Sequence, residues 1–289
     1  MGLKESELIL NEDGSIYHLN LKPGDIADTL IFVGDQDRVE KVTKHFDSID
    51  FETQKREFKT QTGNYKGKRL SVISTGIGPD NIDIVLNELD ALFNIDFESR
   101  TVKPKHTSLN IIRIGTSGSI QKDIAVDSFL ISTYSVDMNG MLHAYEIDEI
   151  RNSKMEEAFI LHSNWPKERA KPIFIQASET LLQCFQSNQT KEGITATMGG
   201  FYGPQGRMLR LPTQNIDLNT KLASFSFEKQ YITNLEMETS AIYGLSRLLG
   251  HHAISLNAII ANRANGTFSL NPDLVIENLI TYTLDKIIE

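Results

Sequence analysis

Three short apolar runs in the first half of the chain are each followed by a segment that contains glycine. The runs lie at residues 30–33, 70–74 and 110–114, and their length and composition are typical of buried strands. The first two are followed by patterns typical of amphipathic helices, at residues 35–42 and 81–93. This alternation predicts an α/β fold with helices on both faces of a central sheet.

The alternation continues through the second half of the chain. Further strands are predicted at residues 128–135 and 253–261, and further helices at residues 238–249 and 272–288. A charged stretch at residues 150–171 predicts an exposed helix with its connections. Because no linker rich in proline, glycine or serine divides the 289 residues, we predict one domain at residues 16–289, preceded by a mobile tail at residues 1–15.

The net charge argues against nucleic acid as a partner. The sequence has 29 Lys and Arg residues against 38 Asp and Glu residues, which gives a charge of −9. Proteins that bind nucleic acid usually carry a basic surplus instead. A negative field also opposes an anionic ligand, so an anion site in this protein would need its own local cations.

The sequence predicts neither a membrane span nor an internal disulfide. No run of about 18 apolar residues occurs, and the polar N-terminal segment lacks the apolar core of a signal peptide. The single cysteine, Cys184, has no partner for a disulfide and no neighbouring cation to activate it. We therefore expect an unreactive thiol and a cytoplasmic protein.

The glycine segments at residues 34–38, 75–78 and 113–118 are predicted to be turns that form a ligand-binding edge. In open α/β sheets, ligands bind beyond the carboxyl ends of the strands, where glycine allows a close backbone approach. Arg38 and Arg113 lie in two of these segments, and the rigid donor fork of arginine suits phosphate. Because apolar residues flank Arg113, it needs either a structural carboxylate or a ligand anion. The fingerprints of dinucleotide-binding folds and P-loops do not occur, which disfavours those classes.

Two further segments carry polar groups that suit a sugar and a flat heterocycle. Glu236 and Glu238 precede an apolar helix, where they either complement the helix dipole or accept hydrogen bonds from a sugar diol. A glycosidase pair is less favoured, because carboxylates two residues apart rarely flank one bond. Phe201, Gln205 and Arg207 combine a ring, an amide and a guanidinium, which suits a base with carbonyl and imide edges.

Taken in order, these motifs resemble the nucleoside phosphorylase superfamily and, within it, the uridine phosphorylases of the pyrimidine branch. The resemblance implies a single-domain three-layer α/β/α sandwich with a mixed central sheet. It also implies phosphorolysis of uridine to uracil and ribose 1-phosphate, with phosphate as co-substrate and with no cofactor or metal. Deoxyuridine and thymidine are further candidate substrates. The matching segments are residues 17–21, 34–38, 55–58, 74–78, 111–118, 201–207 and 234–239.

The resemblance also implies a role for each candidate site residue. The residues that would take part in catalysis are Arg113, Thr116, Arg207 and Glu238. Those that would bind phosphate are Gly34, Arg38, Arg56, Arg113 and Thr116. Those that would bind the ribose are His18, Thr116, Glu236, Met237 and Glu238. Those that would bind the base are Phe201, Gln205, Arg207 and Arg263.

Within this resemblance, His18 and Arg56 would be contributed by the neighbouring subunit of a homodimer or of a trimer of dimers. The alternatives are a purine nucleoside phosphorylase, a nucleosidase and a catalytically silent nucleoside-binding relative. Purine-specific members carry an aspartate after the strand that corresponds to residues 253–261, whereas this chain has Asn262 and Arg263 there. A hydrolase, which uses water, would also not need a cluster of arginines around phosphate.

Overall fold

The computed structural model describes residues 2–289. The strands are β1 (Thr29–Val33), β2 (Ser48–Lys55), β3 (Phe58–Tyr65), β4 (Lys68–Ser74), β5 (Ile95–Asp96), β6 (Thr101–Val102), β7 (Asn110–Ser119), β8 (Phe129–Asp137), β9 (Ile173–Gln176), β10 (Thr190–Thr197), β11 (Ser226–Phe227), β12 (Gln230–Glu236), β13 (His252–Asn262) and β14 (Thr267–Phe268). The helices are α1 (Gln36–Thr43), α2 (Pro79–Asn94), α3 (Ser153–Ser163), α4 (Glu179–Phe185), α5 (Leu218–Ser224), α6 (Thr239–Leu248) and α7 (Pro272–Ile288).

A mixed sheet of 12 strands runs through the molecule. Its main path follows the order β11-β12-β10-β8-β13-β7-β1-β4-β3-β2, and β14 and β9 pair with β13 and β8. Strand β1 is parallel to both β4 and β7, whereas β2, β3 and β4 pair antiparallel. Because β12 pairs with the end of β7 as well as with β10, the strands β7, β13, β8, β10 and β12 close into a ring.

Helices cover the sheet in separate groups. Helix α7 packs on β13 and β7 and contacts α1 and α4, whereas α6 packs on β13 and β8 and contacts α2. The main apolar core lies between these helices and the sheet. The arrangement confirms the predicted α/β fold with a mixed central sheet in one domain. Among residues 2–289, no helix is long and apolar enough to cross a membrane.

Strand β7 differs from its prediction in one important respect. The glycine segment after Ile114 was predicted to be a turn, but β7 continues to Ser119. The reason is that β13 pairs with β7 over its full length, from His252↔Asn110 through Asn262↔Ser119, and β12 pairs with Gly118 and Ser119. This pairing overrides the turn tendency of the two glycines.

Two surface segments also differ from prediction. Helix α3 falls in the charged stretch at residues 150–171 and was expected to be exposed, but it buries Met155 and Phe159 in a second apolar cluster. At the N-terminus, residues 2–15 were expected to be a mobile tail. Most of these residues are exposed, but Leu8 is only 4% exposed, and its carbonyl accepts a hydrogen bond from Arg100 at 2.7 Å.

Candidate active site

A cavity of about 840 Å³ lies at the carboxyl ends of β1, β4, β7, β12 and β13. The segments that line it, from Gly34 to Phe268, are separated by more than 200 residues in the chain and meet because their strands are neighbours in the sheet. The sequence-predicted site residues that line this cavity are Gly34, Arg38, Arg113, Thr116, Phe201, Gln205, Arg207, Glu236, Met237 and Glu238.

Three predicted site residues do not line the cavity of their own chain. His18 is half-buried, and its Nδ1 atom lies 2.6 Å from Oε1 of Glu88. Arg56 is exposed in the two-residue turn between β2 and β3, beside Glu57, which does line the cavity. Arg263 lies behind the cavity wall, where its Nη1 atom donates to the backbone oxygen of Gln205 at 2.6 Å.

Arg113 projects from the middle of β7 and is 7% exposed. Its Nη2 atom donates to Oε2 of Glu238 at 2.6 Å and lies 3.2 Å from Oε2 of Glu236. Burial by itself would lower the pKa of Arg113, but these two carboxylates raise it above its ordinary value. The guanidinium is therefore firmly charged. It has structural carboxylate partners, which was one alternative considered from the sequence. It also lines the cavity, where a ligand anion, the other alternative, could reach it.

Gly115 provides the space that the Arg113 guanidinium occupies. A Cβ atom at position 115 would lie only 1.8 Å from Nη1 of Arg113, which no structure tolerates. Side chains two residues apart on a strand point to the same face, so the guanidinium folds over the bare backbone of the next inward-facing residue. The glycine segment thus contributes by accommodating a side chain within the strand, rather than by forming a turn.

Glu236 and Glu238 have different surroundings at the start of α6. Oxygens of Glu236 accept hydrogen bonds from the backbone N–H groups of Glu238 and Thr239 at 2.9 Å and from the Thr197 hydroxyl at 2.6 Å. Glu236 thus complements the N-terminal end of the helix. Glu238 accepts from the backbone N–H of Gly78 at 2.8 Å and faces the cavity. Of the two, Glu238 is the carboxylate placed to meet a sugar diol.

The pKa of Glu238 depends on burial and on two neighbouring charged groups, the Glu236 carboxylate and the Arg113 guanidinium. Burial raises its pKa, and the charge of Glu236 raises it further, whereas Arg113 opposes the shift. The net direction is upward because burial, which penalises the charged carboxylate, together with the charge of Glu236 outweighs the attraction of Arg113.

Arg38 and Arg113 form a cationic end of the cavity. Asp35 caps α1 by accepting from the N–H of Asp37 at 3.0 Å, and the first turn of this helix carries Arg38 to the cavity wall. Burial lowers the pKa of Arg38, and the nearby charge of Arg113 lowers it further. With the Thr116 hydroxyl beside them, these two guanidiniums are arranged to bind an anion such as phosphate.

Another part of the cavity wall contains the amide of Gln205 and the guanidinium of Arg207, and a further guanidinium, that of Arg263, lies behind it. A short 3₁₀ turn at Gly203–Gln205 places Gln205 inward, at 1% exposure. Its Oε1 atom accepts from Arg207, whose guanidinium lies 3.8 Å from the centroid of the Phe201 ring. Burial lowers the pKa of Arg207, and burial together with the charge of Arg207 lowers the pKa of Arg263 to about 10. This part of the wall offers donors to a group that gains negative charge.

The sequence analysis missed several residues of this site. The cavity is also lined by Ser117, by Glu57 and by Phe268, which lies on the short strand β14. Behind the wall, Ser255 and Asn257 contact Arg113 from β13, which had been treated simply as an apolar strand. Two polar residues with period-two spacing in an apolar strand were the available signal, because they must share one face.

Comparisons with known proteins agree with this geometry. A family model described as the phosphorylase superfamily matches residues 28–282. The uridine phosphorylase of Thermococcus kodakarensis is 30% identical over 264 residues, which cover 89% of this chain and 81% of that relative. A DeoD-type purine nucleoside phosphorylase of Brevibacillus brevis is 28% identical over 242 residues, which cover 83% of each protein.

A solved structure supports the same assignment. The crystal structure of a Trypanosoma brucei nucleoside phosphorylase, described as showing uridine phosphorylase activity, has a TM-score of 0.87 and 28% identity to this chain. The match covers 98% of this chain and 99% of that one. These similarities span most of the sequence, and they confirm the resemblance drawn from the motifs. This chain belongs to the phosphorylase superfamily.

Proposed function

We propose that this protein cleaves uridine by phosphorolysis, giving uracil and ribose 1-phosphate, with deoxyuridine and thymidine as further candidate substrates. The observation that carries the proposal is that one cavity is lined by groups suited to all three parts of a nucleoside and phosphate pair. Arg38 and Arg113, the proposed phosphate end, suit phosphate. Glu238, which binds Arg113, suits the ribose, and Gln205 and Arg207, the proposed base end, suit the base. Nucleoside phosphorylases of both branches among the relatives support the broader activity.

The chemistry follows from these positions. Phosphate held by Arg38, Arg113 and Thr116 supplies an oxygen that bonds to C1′ of the ribose as the bond from C1′ to the base breaks. The electron pair of the broken bond moves onto the leaving base, whose carbonyl oxygens gain negative charge. Arg207 is positioned to donate to that charge through preorganised N–H groups. Glu238 would hold the 2′ and 3′ hydroxyls and keep C1′ in line with phosphate.

The groups at the base end favour pyrimidines over purines. A purine leaves most readily when an acid protonates it, and purine-specific relatives were expected to place an aspartate after the strand that is β13 here. In this protein Asn262 occupies that region, and its amide donates to the backbone oxygens of Gln121 at 2.8 Å and Ile124 at 2.7 Å. Asn262 therefore stabilises a loop, and the charge at the base end comes from Arg207 and Arg263.

The decisive measurement is uracil release from uridine with and without inorganic phosphate. We expect turnover only with phosphate, and ribose 1-phosphate formed in amounts equal to the uracil released. Inosine and adenosine serve as controls for the purine branch, and we expect both to react far more slowly than uridine. Equal cleavage of uridine in phosphate-free buffer would refute the phosphorylase proposal, and faster cleavage of inosine would refute the pyrimidine preference.

Replacing Gln205 with alanine tests the base end separately. The variant loses an amide that both accepts from and donates to a uracil edge, so we expect uridine kcat/KM to fall about 100-fold. Phosphate KM should stay within about twofold, because Gln205 hydrogen-bonds Arg207 and Arg263 rather than the residues proposed to bind phosphate. Gln183→Ala, on the exposed side of α4, is the matched control. Unchanged uridine kinetics in Gln205→Ala would remove Gln205 from the base site.

We infer in addition that the working enzyme is a homodimer or a trimer of dimers, in which His18 and Arg56 complete the site of a neighbouring subunit. Neither residue lines the cavity of its own chain, although the resemblance implies ribose contact for His18 and phosphate contact for Arg56. Arg56 lies exposed at the tip of the β2–β3 hairpin, where a neighbouring subunit has access to it. A site completed in this way would add a further guanidinium to the phosphate end.

A further inference from the structure

Each of the five strands that close into a ring contributes one buried polar side chain to a continuous series of hydrogen bonds. We call these five residues the polar belt. They are Ser117 on β7, Asn234 on β12, Thr195 on β10, Ser132 on β8 and Asn257 on β13. None of the five is more than 6% exposed. Buried polar groups are costly unless they are hydrogen-bonded, so such a series within a core requires an explanation.

Arg113 is hydrogen-bonded to Asn257, the first residue of the polar belt. Nη1 of Arg113 donates to Oδ1 of Asn257 at 3.1 Å. An arginine can only donate, so it fixes which way the Asn257 amide faces. The amide nitrogen of Asn257 then points to Oγ of Ser132 at 3.4 Å and to Oγ of Ser255 at 3.2 Å. The orientation of Asn257 is thus set by the guanidinium on one side and by two hydroxyls on the other.

The remaining hydrogen bonds run in the same direction around the ring. Thr195 donates its only hydroxyl proton to Oδ1 of Asn234 at 2.8 Å, so the 2.5 Å contact between Ser132 and Thr195 has Ser132 as its donor. Nδ2 of Asn234 donates to Oγ of Ser117 at 2.9 Å. Ser117 lines the cavity. The series of hydrogen bonds therefore runs from Arg113 through the polar belt to Ser117, and both of these β7 residues line the cavity.

The strand register explains how Asn257 reaches Arg113. Asn257 pairs directly with Gly115, and the Arg113 guanidinium occupies the space over that glycine. The amide of Asn257 therefore lies beside the guanidinium and holds the edge that Glu236 and Glu238 do not contact, because those carboxylates bind Nη2. Partners at both Nη1 and Nη2 fix the plane of a guanidinium more firmly than partners at one of these atoms alone.

We propose that Asn257 is a positioning residue that holds Arg113 in the orientation needed to bind phosphate, without adding charge. This inference rests on the proposed phosphorolysis. Glu236 and Glu238 already place two carboxylates at one guanidinium, so a third negative group would repel phosphate and neutralise the cation that attracts it. An amide supplies the acceptor and remains neutral. The presence of Asn rather than Asp at this point of β13 follows from that requirement.

Two substitutions separate the acceptor from the charge. Asn257→Leu keeps the approximate volume and removes the acceptor, and we expect the phosphate KM and the phosphate Kd to rise about tenfold. Asn257→Asp keeps an acceptor of the same shape and adds negative charge, and we expect the phosphate KM and the phosphate Kd to rise at least as much. In both variants the KM for uridine should change less than about threefold, because Glu238 and the base end are untouched.

Calorimetry with inorganic phosphate alone gives the Kd without requiring turnover, and steady-state kinetics with uridine gives both KM values.

Ser132→Ala perturbs the same series of hydrogen bonds one step further from Arg113, and we expect a rise in phosphate Kd of about threefold. Ser135→Ala is its control, because Ser135 is a fully buried serine on the same strand whose hydroxyl lies outside the belt. We expect Ser135→Ala to leave the phosphate Kd unchanged. Ser132→Ala also replaces Asn257→Leu as the test if that variant does not fold.

The outcomes are distinct. A phosphate Kd that stays at the wild-type value in folded Asn257→Leu and Asn257→Asp would overturn the inference and leave Asn257 with a packing role only. Equal effects of Ser132→Ala and Ser135→Ala would overturn the role of the belt. If wild-type protein binds phosphate but cleaves no nucleoside, the proposed function fails while the effect on the phosphate Kd can still be measured. A selective rise in phosphate Kd and KM supports the inference.

Discussion

Replacing Arg113 with alanine is expected to lower kcat/KM for phosphate about 1000-fold. Of the two cations at the proposed phosphate end, Arg113 is the buried one, and losing a preorganised donor to the reacting group has effects of about this size. Arg113 also contacts Glu238, so uridine binding should suffer as well, but less than phosphate use. Steady-state kinetics with each substrate varied in turn measures the two effects. Arg247→Ala, at an exposed position of α6, is the matched control.

The same variant should also be less stable, by about 3–5 kcal/mol, because Glu236 and Glu238 lose the counter-charge of a buried pair. This loss should depend on pH with a definite sign. Buried carboxyls without a cation have a raised pKa, so the native state binds more protons than the unfolded chain, and its stability falls as pH rises. Urea unfolding near pH 5.5 and pH 8 tests this. If the difference in unfolding free energy between wild type and Arg113→Ala does not grow with pH, the two carboxylates are not held by Arg113.

Replacing Glu238 with glutamine is expected to affect the two substrates in opposite directions. The variant loses the carboxylate proposed to hold the ribose diol, and kcat/KM for uridine should fall about 100-fold. In the absence of nucleoside, inorganic phosphate should bind to the variant several-fold more tightly. The reason is that in the wild-type protein the Glu238 carboxylate, 2.6 Å from Nη2 of Arg113, competes with phosphate for that group. Calorimetry with phosphate and kinetics with uridine measure these separately.

Stability provides a second measurement on Glu238. Burial raises the pKa of this carboxyl, so wild-type stability should decline relative to Glu238→Gln as pH rises above the ordinary glutamate range. Glu277→Gln, on the surface of α7, is the control and should not change phosphate binding. Weaker phosphate binding in Glu238→Gln would show that Glu238 supports the Arg113 site rather than competing with its anion.

Most of the regular structure could be predicted from local patterns. Helix α7 begins at Pro272 and ends at Ile288 as predicted, because Asn271 caps it and proline suits its first turn. Strands β1 and β13 were predicted because continuous apolar runs are typical of strands buried on both faces. The β2–β3 hairpin was not predicted, since β2 is largely exposed and carries few apolar residues.

The errors arose where the decisive contacts are distant in the chain. The extension of β7 past Ile114 depends on β13, which lies about 140 residues later. The N-terminal segment contacts the domain at Leu8, whose carbonyl accepts from Arg100, 92 residues later in the chain. In both cases a tertiary contact outweighed a local preference, which is the usual limit of propensity.

The net charge of −9 shows the same division between sequence and structure. By itself it argued against an anionic ligand, yet Arg38 and Arg113 meet in one cavity and provide the local cations that phosphate requires. The sequence determined which chemical groups are present, in what order, and that strands and helices alternate. Only the tertiary structure decided that Glu236 binds the backbone N–H groups at the start of α6 whereas Glu238 binds that of Gly78, and that Asn257 contacts Arg113. Those roles depend on strand register and on the space over Gly115, which arise only when distant segments pack together.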